Sequence, residues 1–192
     1  MPEHELILAS ASPRRRELLA QTGLAFSVVV AAVDESVRAG EAADDYVLRA
    51  AADKAGAVHE QYPQALVLGA DTAVVVDGEI LGKPVDAGAA RAMLDRLSGR
   101  SHEVLSAVVL AWPDGRRSER LSRTSVTFAK LPPRWIEGYV ASGEGLDKAG
   151  AYGIQNQAGL KISRISGSYT GVVGLPLFET AELLREAGLL HR

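Results

Sequence analysis

The sequence predicts an α/β fold built on a mixed sheet. Three observations carry that prediction: short apolar, β-branched runs read as buried strands, segments of helical period lie between them, and hairpin-type strand pairs break any regular βαβ order. Glu5–Ala9 reads as the first strand. Ser12 is a suitable N-cap and Pro13 a suitable first residue for a helix running to about Thr22, closed by Gly23. Phe26–Val33 reads as a second strand ending at Asp34-Glu35, and Asp44 to about Gln61 as a helix with Val47, Leu48, Ala51, Ala55 and Val58 at helical spacing. Ala65–Ala70 is expected to be a buried strand that stops at Asp71-Thr72. Val74–Leu81 has the form of a hairpin with Asp77-Gly78 as its two-residue turn, followed by a helix over Asp86–Leu97. Glu103–Trp112 and Arg116–Ala129 form a strand pair around Pro113–Gly115, with a short helix over Pro133–Ala141 after it. Beyond the Gly-rich stretch Gly143–Gly159, Leu160–Ile165 and Tyr169–Val173 read as short strands and Pro176–Ala187 as the closing helix. Neither a repeat nor an obvious linker interrupts the chain, so one domain is expected over residues 1–192.

Composition narrows the function classes. Hydrophobic residues make up 47% and charged residues 23% of the chain, which is ordinary for a globular protein and unlike a disordered one. Without cysteine, the chain has no disulfide, Cys-based zinc site or thiol nucleophile. The histidines His4, His59, His102 and His191 are scattered without metal-ligand spacing and read as surface or packing residues. A net charge of −3 without a Lys/Arg block argues against nucleic-acid binding, so positive charge for any polyanion must be local. No apolar run approaches the roughly 18 residues of a membrane span. The Ser10–Arg16 motif arrives too early for a signal peptide, so a cytoplasmic location is expected.

Four groups of residues suggest chemistry. In Ser10-Ala-Ser-Pro-Arg-Arg-Arg16, three arginines occupy the first turn of a predicted helix, where the dipole disfavours cations by about 0.3–1 kcal/mol each. A bound phosphate reverses that penalty, and Ser10, Ser12, Arg14 and Arg15 then form a cradle; otherwise they make a solvated arginine face. Glu35 and Asp71 follow apolar strands and could hold a divalent cation or activate water, or simply cap the next element. Lys54 and Lys83 read as surface charge unless other residues gather them, and Gly82-Lys83-Pro84 lacks the spacing of a Walker loop. In Asp147–Gln155, closely spaced glycines allow backbone to approach a ligand, Tyr152 could stack on a base, and the Gln155 amide could read a base edge; a mobile loop around a buried tyrosine is the plainer alternative.

Taken in order, LILASASPRR, VDES, LVLGADT, ILGKP, LSGRSHEV, LDKAGAYGIQ and GSYTGVVGLP resemble the Maf family of nucleotide pyrophosphatases nearly end to end. The resemblance implies an elongated α/β fold with two lobes around a central cleft, similar to the inosine-triphosphate pyrophosphatases. It also implies metal-dependent hydrolysis between the α- and β-phosphates of a nucleoside triphosphate, with Mg²⁺ or Mn²⁺ as the cation. Carried over by position, Asp71 is the general base, Glu35 and Lys54 join it, Glu35 and Asp71 are the metal ligands, and Arg14, Arg15 and Lys83 bind phosphates. Arg14, Thr72 and Gln155 match the dTTP/UTP branch. Asn156 stands where the family usually has glycine and is expected to narrow the loop. The alternatives are a pyrophosphatase for modified or non-canonical nucleotides and a nucleotide-sensing regulator of septum formation. A homodimer is compatible with the sequence.

Overall fold

Buried apolar runs become one seven-stranded mixed sheet in the computed structural model, which describes residues 4–191. The strands are β1 (Leu6–Ala9), β2 (Ser27–Val29), β3 (Leu66–Val76), β4 (Glu79–Leu81), β5 (Ser101–Ala111), β6 (Arg117–Phe128) and β7 (Ile162–Ser166). The helices are α1 (Pro13–Ala20), α2 (Ala43–His59), α3 (Ala87–Leu97), α4 (Pro133–Ala141), α5 (Tyr169–Val173) and α6 (Leu177–Glu186). The strand order is β2-β1-β3-β5-β6-β7, with β4 added to β3. β1 runs parallel to β2 and β3, while the remaining pairs are antiparallel. The domain expected over 1–192 includes residues 1–3 and 192, which lie outside the described residues.

β3 positions everything that follows. One edge pairs with β5 from Val67 to Val75. The other edge forks: β1 ends opposite Gly69, and β4 ends opposite Val74 from the other direction. Ala70–Ala73 therefore face a notch between two strands, and that notch opens into the cleft. The period of two sorts the side chains of β3. Val67, Ala73 and Val75 join Val47, Ala51, Ala55 and Val58 of α2 on one face. On the opposite face Leu66, Leu68 and Ala70 pack with Leu18, Leu19, Leu183 and Leu184. Farther along that same face, Val74 and Val76 enter a separate core with Leu94, Leu97, Phe128, Ile136 and Tyr139. Two lobes with their own cores thus share one strand, and Thr72 lies between them.

Gly69 brings α2 down onto the sheet. A methyl group there would stand 2.2 Å from the Ala51 carbonyl oxygen and 2.8 Å from the Ala55 nitrogen. Absence of a side chain lets the helix backbone rest directly on the strand one pleat before Asp71.

Three expectations require correction. β3 does not stop at Asp71: β5 supplies a continuous ladder, so the strand carries its polar residues through the middle of the sheet. β2 covers only Ser27–Val29, because its partner β1 offers ladder positions only from Ile7 to Ala9; the chain from Val30 to Glu35 leaves the sheet. Tyr169–Val173 is a helix and not a strand. Ser168 caps it by accepting a hydrogen bond from Gly171 N at 3.0 Å, and a five-residue apolar run is too short for periodicity to separate the two states. The Asp77-Gly78 hairpin turn is as expected, with φ of 53° and 77°.

Candidate functional site

The notch in the sheet is the floor of a cleft of about 810 Å³. Lys54 is its pivot. It lies on the buried stripe of α2 with Ala51 and Val58, so its ammonium leaves the helix toward β3. Nζ donates to Asp71 Oδ1 at 2.7 Å and to Glu35 Oε2 at 2.7 Å. Asp71 is 5% exposed, and its side chain and Lys54's are both buried, so each charge depends on the other. Removing one partner of such a pair costs about 3–5 kcal/mol. Glu35 is partly exposed toward the cleft. Burial pushes its carboxyl up, but the Lys54 hydrogen bond and charge, reinforced by Lys83 and Arg15, outweigh this and hold it below its ordinary value.

The segment that carries Glu35 has left the sheet, so α2 must hold it. Tyr46 Oη donates to the Glu35 carbonyl at 3.1 Å. Burial and the nearby Asp71 and Glu35 charges push the Tyr46 phenol up to about 12, so it remains a donor. Arg49 grips both oxygens of Glu41 at 2.5 and 2.8 Å and the Ser36 carbonyl at 2.9 Å. That fork holds the Glu41 carboxyl down at about 2. Sequence reasoning missed Tyr46 and Arg49. The available signal was Tyr46 standing two turns before Lys54 on one helix face, at spacing i, i+8.

The arginine turn forms the adjoining wall. Ser12 caps α1, its Oγ accepting from Arg15 N at 3.4 Å, and Ser10 Oγ accepts from Ser12 N at 3.1 Å. The serines thus satisfy two of the turn's own N–H groups, while their hydroxyl hydrogens remain available as donors. Arg15 Nε donates to the Gly174 carbonyl at 2.8 Å, and Nη2 reaches Thr72 Oγ1 at 3.4 Å. No carboxylate pairs with Arg15 within 4.0 Å among the described residues. Burial disfavours its charge and holds its titration below the ordinary value, with Asp71 and Glu35 only partly offsetting that effect. Arg14 lines the cleft, 3.9 Å from Asp147 across its mouth, and Lys83 lines it as an exposed side chain.

Strand alternation separates Thr72 from its neighbour. Its side chain leaves β3 on the face opposite Asp71, where Oγ1 lies 2.8 Å from Ser106 Oγ. Ser106, buried on β5, donates to the Gly171 carbonyl at 2.6 Å. Thr72 therefore bears on the cleft through Arg15 and the Gly171–Gly174 segment, and Ser106 is a third residue that sequence reasoning missed.

In the Gly-rich segment, Gln155 is exposed at the cleft without a side-chain hydrogen bond among the described residues. Tyr152 is 5% exposed, its hydroxyl is 2.7 Å from His102 Nε2, and its ring meets Phe128 edge-on at 4.9 Å between centroids. That packing leaves little ring surface for a base, so Tyr152 is a wall of the cleft rooted in the core. Asn156 has φ of −116° and ψ of −134°, and it precedes a 3-10 turn over Gln157–Lys161.

No cluster of three or more His, Asp or Glu side chains suited to a metal ion occurs among the described residues. Glu35 and Asp71 nonetheless converge on one point, and each has a second carboxylate oxygen not bonded to Lys54. Such a two-carboxylate set suits Mg²⁺, which keeps waters and takes the rest of its shell from substrate phosphates. No described helix is long and apolar enough to cross a membrane.

Known proteins resemble this chain in sequence and in fold. The dTTP/UTP pyrophosphatase of Myxococcus xanthus is 54% identical over 185 residues, covering 96% of this chain and 93% of that one. The dTTP/UTP pyrophosphatase of Anaeromyxobacter sp. is 56% identical over 187 residues, covering 95% and 89%. Among solved structures, the Staphylococcus aureus Ham1 protein is similar in fold, with a TM-score of 0.53 at 15% identity over 95% of this chain and 96% of that one. The Maf-like protein family profile matches residues 5–187, the whole span that builds the sheet, the cleft and its cations, and the chain belongs to that family.

Proposed function

We propose that this chain is a nucleoside triphosphate pyrophosphatase that hydrolyses dTTP and UTP to the monophosphate and pyrophosphate. The observation that carries the reading is Lys54 bridging Asp71 and Glu35 on the floor of a cleft flanked by Arg14, Arg15 and Lys83. A polyanion needs such local cations in a chain of net charge −3. The names of the relatives support the choice of nucleotide.

In the mechanism, Arg14, Arg15 and Lys83 hold the phosphates, with Ser10 and Ser12 donating from the turn that leads into α1. Lys54 orients Asp71 through Oδ1, leaving Oδ2 to accept a proton. A water oxygen attacks the α-phosphorus as the bond to the bridging oxygen breaks in line. Its proton passes to Asp71, and the electron pair leaves with pyrophosphate. Glu35 would hold the Mg²⁺ or Mn²⁺, with Asp71 beside it as the base, and the cation would supply charge neutralisation on the phosphates. Gln155 faces the base. Thr72 sets Arg15, which links phosphate grip to the segment after α5.

Release of pyrophosphate from dTTP and UTP, compared with GTP, by the wild type and Asp71→Asn tests this reading. The wild type is expected to favour the pyrimidines, and the variant to lose about 10²-fold or more in kcat while still binding nucleotide. Near wild-type turnover by Asp71→Asn would remove Asp71 from the mechanism.

A further inference from the structure

Asp147 is an odd residue to find in a cleft arranged for a polyanion. Its carboxylate is 69% exposed, and it meets a cation from each wall: Arg14 of α1 at 3.9 Å and its neighbour Lys148 at 2.6 Å. A fixed negative charge there opposes the ligand that Arg14, Arg15 and Lys83 favour.

Lys148 is not an ordinary surface lysine either. It lines the cleft, yet its side chain is only 15% exposed. The stem lies across Gly153, where a methyl group would come within 2.9 Å of Cδ and Cε. Gly153 is outside the left-handed region, so its backbone does not demand glycine, and a methyl group there would make the Lys148 stem shift. Nζ also donates to the Glu144 carbonyl, which anchors the ammonium and leaves its remaining hydrogens directed elsewhere.

A carboxylate oxygen and a phosphate oxygen accept the same charge-assisted hydrogen bonds. Arg14 and Lys148 stand on opposite walls, so an anion shared between them ties α1 to the 143–155 segment. Resting on the nucleotide reading above, we propose that Lys148 is a further phosphate-binding residue, and that the Asp147 carboxylate holds the place of a phosphate oxygen between Arg14 and Lys148 until the nucleotide displaces it. Binding then exchanges one anion for another at cations already aimed into the cleft, and departure of pyrophosphate is assisted when Asp147 returns.

Calorimetric titration with inorganic tripolyphosphate tests this without relying on turnover. Asp147→Asn removes the competing anion and is expected to tighten binding by up to about fivefold, the scale of an exposed ion pair. Lys148→Met keeps the stem beside Gly153 and is expected to weaken binding about tenfold, the scale of a hydrogen bond to a charged group. In the double variant the gain from Asp147→Asn should shrink, since part of it depends on Lys148 being released. The KM for UTP should fall in Asp147→Asn and rise in Lys148→Met. Unchanged or weaker tripolyphosphate binding by Asp147→Asn would overturn the proposal, and this exposed substitution decides the matter even if Lys148→Met fails to fold. Equal binding by wild type and a folded Lys148→Met would overturn it as well. Failure of the wild type to bind tripolyphosphate at all would overturn the nucleotide reading together with the proposal, a result distinct from intact binding that the variants leave unmoved.

Discussion

At the scale of single residues, the site works by giving each polar side chain a different duty. Lys54 is buried and spends its hydrogen bonds on Asp71 and Glu35, so its part is to hold both carboxylates at the floor of the cleft. Gln155 is the opposite case: exposed at the cleft and bonded to no other side chain among the described residues. Its removal should therefore leave stability within about 0.5 kcal/mol, as for most surface substitutions. A base edge that loses its partner costs about 1–3 kcal/mol, or roughly 5- to 150-fold in selectivity. Gln155→Ala is thus expected to lower kcat/KM for dTTP and UTP more than for GTP, with unchanged melting and an unchanged metal requirement. Equal losses on all three nucleotides would show that Gln155 does not read the base.

At the scale of elements, the decisive contact is α2 on β3. Backbone approach at Gly69 sets the height of the helix, and Lys54 follows Ala51 by one turn. Gly69→Ala has no soft neighbour to displace, because the nearest atoms are the Ala51 carbonyl oxygen at 2.2 Å and the Ala55 nitrogen at 2.8 Å. Overpacking of this kind costs about 1–3 kcal/mol, and in a chain of this size each kcal/mol lowers Tm by about 2–4 °C. The variant should melt several degrees lower and also lose kcat, since Lys54 is carried away from Asp71. Unchanged melting would mean that α2 is not seated on the strand as described. The Arg49–Glu41 fork acts on the other side of the same helix by fixing the segment that bears Glu35. Because the Glu41 carboxyl is depressed to about 2, that support is intact above about pH 4.5 and is lost as pH falls toward 2.

At the scale of the whole molecule, two cores meet along β3, and the second depends on a buried histidine. His102 on β5 stacks on Phe128 at 5.7 Å and meets the Tyr152 hydroxyl, and burial pushes its titration down to about 4. A depressed histidine is neutral in the native chain, so protonation favours unfolding. Its contribution is whole above about pH 6.5 and drains as pH falls toward 4, by about 3 kcal/mol at most. Urea unfolding followed from pH 7 to 4.5 should show that fall in the wild type and a flatter dependence in His102→Gln. The same slope in both would exclude His102 as its source. Tyr152 transmits the state of this core to the 143–155 segment, so the same window should bear on the cleft wall.

The sequence alone determined what depends on short-range chemistry. The Ser12 cap, the Asp77-Gly78 turn, the helical stripe of α2 and the mixed order of elements were legible because capping, turn φ and periodicity act within a few residues. Chemical suspicion of the Ser10–Arg16 turn was legible for the same reason, since cations at a helix N-terminus conflict locally with the dipole. The roles of Asp71, Glu35 and Gln155 were reached through ordered motifs, which resemblance interprets and local physics does not. Only the tertiary structure decided that β3 continues through Asp71, because β5, 30 or more residues away, supplies the ladder. It also decided that Lys54 is buried between two carboxylates, that Thr72 turns to Arg15 and Ser106, and that Tyr152 belongs to the His102 core. Each of these depends on which distant segment occupies the facing side of a strand or helix, and burial and hydrogen-bond partners at such positions are set by packing between elements, not by the residues beside them in the chain.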